Sequence, residues 1–291
     1  MSSHTNIVVK KIAQTFGALL PDSVYIRIRY FLSFHKLLNL KSPRTYNEKL
    51  QWMKLYDRNP LYTQLVDKYE VRSFIEKKIG TEYLIPCYGV WNSFDEIDFK
   101  HLPNEFVLKC THDSGSVIIC HNKKDLDLKK IKKHFEKCLK MSSFIEGREW
   151  AYKNVKPKII AEKFMVDSSK TGLMDYKFFC FNGKVKSLFI ATDRGVSGKE
   201  VKFDFFDENF NHLPFKHGHE NAEIFPSKPE HFEEMKNIAE QLSAGMKHVR
   251  VDLYNVNGKV YFGEMTFYHH CGFVPFDPEE WDYKFGNWLR I

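Results

Sequence analysis

The residues best suited to chemistry lie in His248–Thr266, HVRVDLYNVNGKVYFGEMT. Residues 248–254 alternate. Val249, Val251 and Leu253 take one face, and His248, Arg250, Asp252 and Tyr254 take the other, the period-two pattern of a half-buried strand. A second strand after Asn257-Gly258 puts Phe262, Glu264 and Thr266 on one face. Whether Asp252 and Glu264 share a face depends on the connection. A two-residue Asn257-Gly258 turn pairs Val251 with Glu264 and sets the carboxylates apart. A three-residue loop, Val256-Asn257-Gly258, has Gly258 in the left-handed region and a bulge after it. It pairs Arg250 with Glu264 and leaves Asp252 beside them. The three-residue loop is the expectation. Two carboxylates and the Thr266 hydroxyl then form an oxygen-rich set suited to magnesium. Arg250 can grip a phosphate or carboxylate in two-pronged fashion. The competing reading is a surface hairpin with solvated charges.

A second constellation surrounds Lys109. The apparent strand Phe106–Lys109 runs into CTHDSGS (110–116) and then Val117–Cys120. A lysine ending a strand before a small polar loop can clamp phosphate: Lys109 as a point charge, the Ser114-Gly115-Ser116 amides as a cradle. One glycine makes neither a Walker loop nor a dinucleotide fingerprint, and most such loops are plain hairpins. His269-His270-Cys271 suggests zinc, but three adjacent residues on a regular backbone cannot all face one ion. His212, His217 and His219 lie in a loop-like stretch without a cysteine or carboxylate framework. Both sets are read as ordinary histidines.

These groups must be positioned by a sizeable fold. The chain has 291 residues, 43% hydrophobic and 28% charged, with 26 phenylalanines and 14 tyrosines. That supports one large domain or a few intimately packed ones and excludes wholesale disorder. The net charge of +7 suits an anionic ligand or surface without choosing one. Six scattered cysteines without a CxxC pair read as reduced and cytosolic. No secretion signal and no bilayer-spanning apolar run is expected.

In chain order, residues 1–40 read as helical and basic. Val24, Ile28, Phe31, Leu32 and Leu38 can share a face able to lie on an anionic membrane surface; the alternative is a helix packed on the rest of the fold. Thr45–Glu48 is a capping box opening a helix to about Leu55. Helices are expected over Tyr62–Lys78 and Asp125–Lys140. Ser227–Glu230 is expected to cap another that runs to about Gly245. Strands are expected over Ile159–Met165, Asp175–Phe181, Lys184–Ala191 and Val201–Phe206, with an Asn182-Gly183 turn between the second and third. Asp175 and Lys177 share a strand face, and Arg194 follows the next strand. Helices mixed with hairpins indicate an α+β fold.

The ordered set DKY (67–69), FVLK (106–109), IIAEKFM (159–165), DYKFFCFNGK (175–184), Arg194, RVD (250–252) and GEMTF (263–267) resembles the ATP-grasp superfamily. It is similar above all to the TupA-like branch, which is associated with teichuronopeptide and other surface-polysaccharide synthesis. The resemblance covers roughly residues 40–290. It implies a helical region 1–66 followed by two α+β subdomains, 67–163 and 164–291, clamping ATP. It implies nucleotide contacts from Lys68, Lys109, the lid loop His112, Asp113, Ser114, Gly115 and Ser116, the adenine segment Glu162, Lys163, Phe164 and Met165, and Asp175. Lys177, Arg194 and Arg250 would serve the reacting carboxyl, and Asp252, Glu264 and Thr266 would hold Mg2+. Thr266 stands where the superfamily often has asparagine, and the lid loop is poor in glycine.

The implied activity is an ATP-dependent carboxylate–amine ligase working through an acyl phosphate. Its partners would be an acidic sugar or polysaccharide precursor and an amine or amino acid, not nucleic acid. It would work in the cytoplasm, with residues 24–38 able to touch the inner face of the membrane. A nucleotide-sugar glycosyltransferase is the alternative, lowered by the lack of a DxD motif on a strand-end loop. A non-catalytic membrane scaffold is a third reading, and the acidic pair weighs against it.

Overall fold

Residues 20–168, 173–193 and 200–291 are described by the computed structural model. Helix α1 (Asp22–Phe34) is followed by α2 (Tyr46–Tyr56). The predicted capping box opens α2. Thr45 Oγ1 accepts from Glu48 N at 3.2 Å, and Glu48 Oε2 accepts from Thr45 N at 3.1 Å, which satisfies two donors the first turn leaves over. The helix expected over Tyr62–Lys78 is instead two helices, α3 (Leu61–Val66) and α4 (Val71–Ile79). Asp67 makes the break. Its Oδ1 accepts from the backbone N–H of Tyr69 and Glu70 at 2.8 and 2.9 Å, a local bond that competes with the helix ladder. The break lets Lys68 N reach Thr111 O at 3.0 Å.

A four-stranded antiparallel sheet follows. It is built from β1 (Cys87–Trp91), β2 (Phe106–Cys110), β3 (Ile118–Cys120) and β4 (Ile159–Glu162), in the order β1-β4-β2-β3. Helix α5 (Leu128–Cys138) lays Ile131 and Phe135 against it, in a core shared with Phe94, Phe106, Leu108 and Ile159. A short helix, α6 (Ser143–Gly147), leads towards β4. The strand expected to Met165 stops at Glu162.

The larger sheet contains β5 (Asp175–Phe181), β6 (Lys184–Thr192), β7 (Lys202–Asp207), β8 (His212–Leu213), β10 (His248–Val256) and β11 (Lys259–Thr266). Its order is β11-β10-β5-β6-β7-β8, antiparallel throughout. Every residue of β5 is buried, as expected of a strand covered on both faces. Helix α7 (Phe232–Ser243) covers the sheet with Phe232, Met235, Ile238 and Leu242. It starts later than expected: the Ser227–Glu230 pattern goes unused, and no side chain caps Phe232. The other face receives Tyr46 and Leu50 of α2 and Phe285 of α8 (Glu280–Trp288). Phe178, Phe179, Phe189 and Phe205 are all at most 1% exposed, and each contributes about 1.5–3 kcal/mol by leaving water. A small ribbon of β9 (Lys216–His217) and β12 (Phe276–Asp277) closes one end.

In α1 the buried residues are Tyr25, Ile26 and Tyr30, while Val24, Ile28 and Phe31 are exposed. Leu38, expected on the same face as those three, is buried in a core with Tyr25 and Phe273. Among the described residues no helix is long and apolar enough to cross a membrane.

Candidate active site

The hairpin of β10 and β11 departs from expectation in an instructive way. Its turn is the two-residue Asn257-Gly258, both at positive φ (50° and 77°), with Val256 paired to Lys259. Asn-Gly suits this tight turn because both positions must enter the left-handed region. Unbroken, that register would set Asp252 and Glu264 on opposite faces. A bulge corrects it: Leu253 pairs with Phe262, Asp252 pairs directly with Glu264, and Gly263 is the extra residue. A Cβ on Gly263 would lie 3.0 Å from Asp252 O and from the Tyr254 ring, so the bulge favours glycine there. The shared face survives, but Arg250 pairs with Thr266 rather than Glu264.

On the other side β10 pairs Asp252 with Lys177 of β5. Six side chains thus meet on one face. Arg250 donates from Nε to Asp252 Oδ1 at 2.7 Å and from Nη2 to Asp252 Oδ2 at 2.7 Å. Nη2 also reaches Glu264 Oε1 at 3.1 Å and Thr266 Oγ1 at 3.0 Å. Lys177 Nζ bonds Asp252 and lies 2.6 Å from Asp175 Oδ2. Asp252 is 1% exposed, Arg250 7% and Lys177 8%. Charges this deep persist only because they are paired and hydrogen-bonded.

Burial pushes the Asp252 carboxyl up to about 6, against the pull of Arg250 and Lys177. On Glu264 the upward push of desolvation is outweighed by Lys177, Arg250 and Lys68, which hold the carboxyl below the ordinary glutamate range. Burial opposes the Lys177 charge, yet Asp175 and Asp252 raise its pKa overall. The two carboxyls of the facing pair are therefore shifted in opposite directions.

The smaller sheet supplies the second set. Lys109, at the end of β2, places Nζ 2.5 Å from Glu162 Oε2, and Arg72 of α4 lies 3.4 Å from Glu162 Oε1. Lys68 Nζ donates to Asp113 O. Burial pushes the Lys68 ammonium down, Lys109 acts the same way, and Glu264 opposes both.

The loop 111–117 is pinned at its base and open at its tip. Ser116 Oγ accepts from Cys110 N at 2.7 Å and donates to Asp113 Oδ1 at 2.6 Å. His112 is buried and bonded through Nε2 to Met141 O at 3.0 Å, so its ring is engaged with the fold. Ser114 and Gly115 are exposed, and nothing stands within 4 Å of a Cβ on Gly115. Lys163 is exposed, with its backbone N bonded to Pro86 O at 2.9 Å; Phe164 packs edge-on to His121, and Met165 is half-buried. Arg194 lies outside the described residues.

For a hard dication, Glu264 fits as it stands: its side chain is 37% exposed and one oxygen faces Arg250. Both oxygens of Asp252 are engaged by Arg250 and Lys177, so a metal there would have to displace the lysine. The donor set of two carboxylates and a hydroxyl has the oxygen chemistry of magnesium. Sequence reasoning missed two contributors. Arg72, paired with Glu162 across the fold, has no local sequence pattern to mark it. His269 Nδ1 accepts from Arg250 Nη1 at 2.7 Å, a contact with no sequence pattern behind it.

A family profile described as TupA-like ATPgrasp matches residues 48–290. No curated protein matches. Solved structures resembling the chain include the ATP complex of D-alanine–D-alanine ligase from Bacillus anthracis, with 14% identity, 70% of this chain and 55% of that one covered, and a TM-score of 0.45. Another is D-alanine–D-alanine ligase from Helicobacter pylori, with 14% identity, coverage of 84% and 69%, and a TM-score of 0.42. A third is a D-cycloserine synthetase, with 15% identity, coverage of 72% and 64%, and a TM-score of 0.41. The chain spans about half the length of the first of these. The family match extends over most of the sequence and takes in both sheets, and so the chain belongs to the TupA-like ATP-grasp family.

Proposed function

We propose that this chain is an ATP-dependent carboxylate–amine ligase. The observation that carries the reading is the cluster Asp175–Lys177–Arg250–Asp252–Glu264–Thr266, joined by ion pairs and hydrogen bonds on one face of the larger sheet. Joining a carboxylate to an amine in water is uphill, so the carboxylate is first phosphorylated and the amine then displaces phosphate. Phosphoryl transfer asks the protein for positioning and charge neutralisation rather than covalent chemistry. Lys109 and Lys68 would bind the phosphate oxygens, releasing Glu162 and the Asp113 carbonyl respectively. The exposed Ser114-Gly115 backbone would close over the phosphates, and Glu162–Met165 would border the base. Arg250 and Lys177 would neutralise charge that develops on the reacting carboxylate, with Arg194 as a further expected partner. Asp252, Glu264 and Thr266 would hold Mg2+, which when bound screens the phosphate charges.

The substrates we infer are a uronate-type acid of a surface polysaccharide precursor and an amine or amino acid. The family resemblance and the net charge of +7 support this. The exposed Val24, Ile28 and Phe31 on α1, with Arg27 beside them, are compatible with contact to an anionic membrane. Co-sedimentation with anionic liposomes, lost in a Phe31→Ser variant, tests that point. The central test follows ADP and phosphate release from MgATP across a panel of uronates and amines. Release that needs both an acid and an amine is expected. Transfer from a nucleotide sugar without ATP would overturn the reading.

A further inference from the structure

Three histidines that the ligase reading does not use converge at one end of the larger sheet. His217 ends β9, and His269 and His270 lie in the turn after β11. One ring nitrogen of each lies within 4.8 Å of a ring nitrogen of the other two. On a regular backbone His269 and His270 would point apart. Here His270 (φ 49°, ψ 30°) and Cys271 (φ 54°, ψ 15°) are left-handed, which swings both rings to one side. The sequence-based discount of this pair assumed regular backbone, and that premise fails. Cys271 takes no part; its sulfur lies beside Gly147.

Each ring keeps one nitrogen without a hydrogen-bond partner among the described residues: His217 Nδ1, His269 Nε2 and His270 Nε2. His217 and His269 are 0% and 1% exposed. Buried polar groups are nearly always satisfied, so an orphan nitrogen on each of three rings whose centroids lie 4.1–5.1 Å apart calls for a ligand. The opposite edges of two rings are held. His217 Nε2 is 3.0 Å from Val274 O, and His269 Nδ1 accepts from Arg250. A Cβ on Gly218 (φ 83°) would come within 3.0 Å of His270 Nε2; glycine leaves that nitrogen uncovered. His270 also lines a cavity of about 690 Å³ with Arg29, Lys216, His219 and Phe273.

We propose that His217, His269 and His270 bind a zinc-class dication whose fourth position opens to this cavity and takes a water. Imidazole suits borderline metals, whereas the carboxylate set beside Arg250 suits magnesium. Three histidines with one open position is a recurrent zinc arrangement. One proton must move. Because Arg250 donates to His269 Nδ1, the neutral ring carries its proton on Nε2. Coordination through Nε2 passes that proton by way of solvent to Nδ1, with none gained or lost overall. The Arg250 Nη1 contact then becomes donor against donor and opens, while the four Arg250 bonds to Asp252, Glu264 and Thr266 remain. Occupancy of the zinc site is thereby coupled to the freedom of one arginine nitrogen in the active site.

The test uses the full chain, stripped with chelator and dialysed against Zn2+ in excess MgADP, so that the carboxylate site is filled. Bound zinc is measured, and X-ray absorption reads its ligands. Expected are one zinc per chain with imidazole nitrogen in the first shell, and an affinity at least about 100-fold lower in His270→Gln and in His217→Gln. No bound zinc, an oxygen-only shell, or unchanged affinity in both variants would overturn the proposal. His217 stacks on Phe276, and its variant is open to misfolding; half-buried His270 and the absorption spectrum of the unaltered chain do not depend on it. MgATP binding is read in parallel. Its survival without zinc rejects this site alone, and zinc without MgATP binding rejects the ligase reading alone.

Discussion

Replacing Glu264 by glutamine separates chemistry from folding. Glu264 is the more exposed of the two facing carboxylates, and its described contacts are to Arg250 Nη2 at 3.1 Å and Thr266 Oγ1 at 3.5 Å. An ion pair exposed to that degree is worth about 1 kcal/mol at most, and Arg250 keeps Asp252, Thr266 and His269. The melting temperature should therefore change little. The metal term is larger. One carboxylate against a dication at about 2 Å gains roughly 4 kcal/mol even in the dielectric of water. Loss of metal-bound water offsets part of this, leaving a net of about 2 kcal/mol, or roughly 30-fold in affinity. Calorimetric titration with MgATP and with ATP in chelator reads this directly. Glu264→Gln should weaken MgATP by about that factor while metal-free ATP binds no worse, since a negative charge near the phosphates is gone. Equal losses in both titrations, or wild-type MgATP affinity, would refute the assignment of Glu264 to metal.

Asp252→Asn should behave differently. It leaves Arg250 and Lys177 buried without their shared counter-charge, a loss of about 3–5 kcal/mol in urea unfolding; an unchanged midpoint would contradict the packing described. Gly263→Val should cost about 1–3 kcal/mol by crowding Asp252 O and Tyr254. It should also weaken MgATP binding by carrying Glu264 off its partner, which the same titration reads. Stability should fall between pH 7 and pH 5. His217 and His248 are pushed by burial to about 3, so the unfolded chain binds the extra protons. Their contribution is complete above about pH 6.5 and is lost as pH falls towards 3, by about 2 kcal/mol each at pH 5. Asp252 and Asp282, raised by burial to about 6, act in the opposite sense and return about 1 kcal/mol each over the same interval. His269 and His270, also lowered by burial, add to the loss. An unfolding midpoint as high at pH 5 as at pH 7 would show that these histidines are not held neutral.

Local signals in the chain were enough for much of this architecture. Thr45–Glu48 specified a helix start because a capping box is satisfied within four residues. The alternation in 248–254 and the Asn182-Gly183 and Asn257-Gly258 pairs specified strands and turns because the period of a strand and the sign of φ are local properties. The family, too, was legible as an ordered set of short pieces. What local pattern could not decide was register. Either hairpin loop was compatible with Asn257-Gly258, and the register was set by a bulge at Gly263, six residues beyond the turn's first residue, which places Glu264 opposite Asp252. Nor could it see the break at Asp67, where a side-chain bond overrode helical periodicity. His217 and His269 stand 52 positions apart in the chain, and only the packing of β9 against the turn after β11 joins them. Propensity and turn chemistry act over a few residues, so sequence alone decided which pieces exist. Burial of paired charges acts over the whole fold, so only the tertiary structure decided which side chains meet.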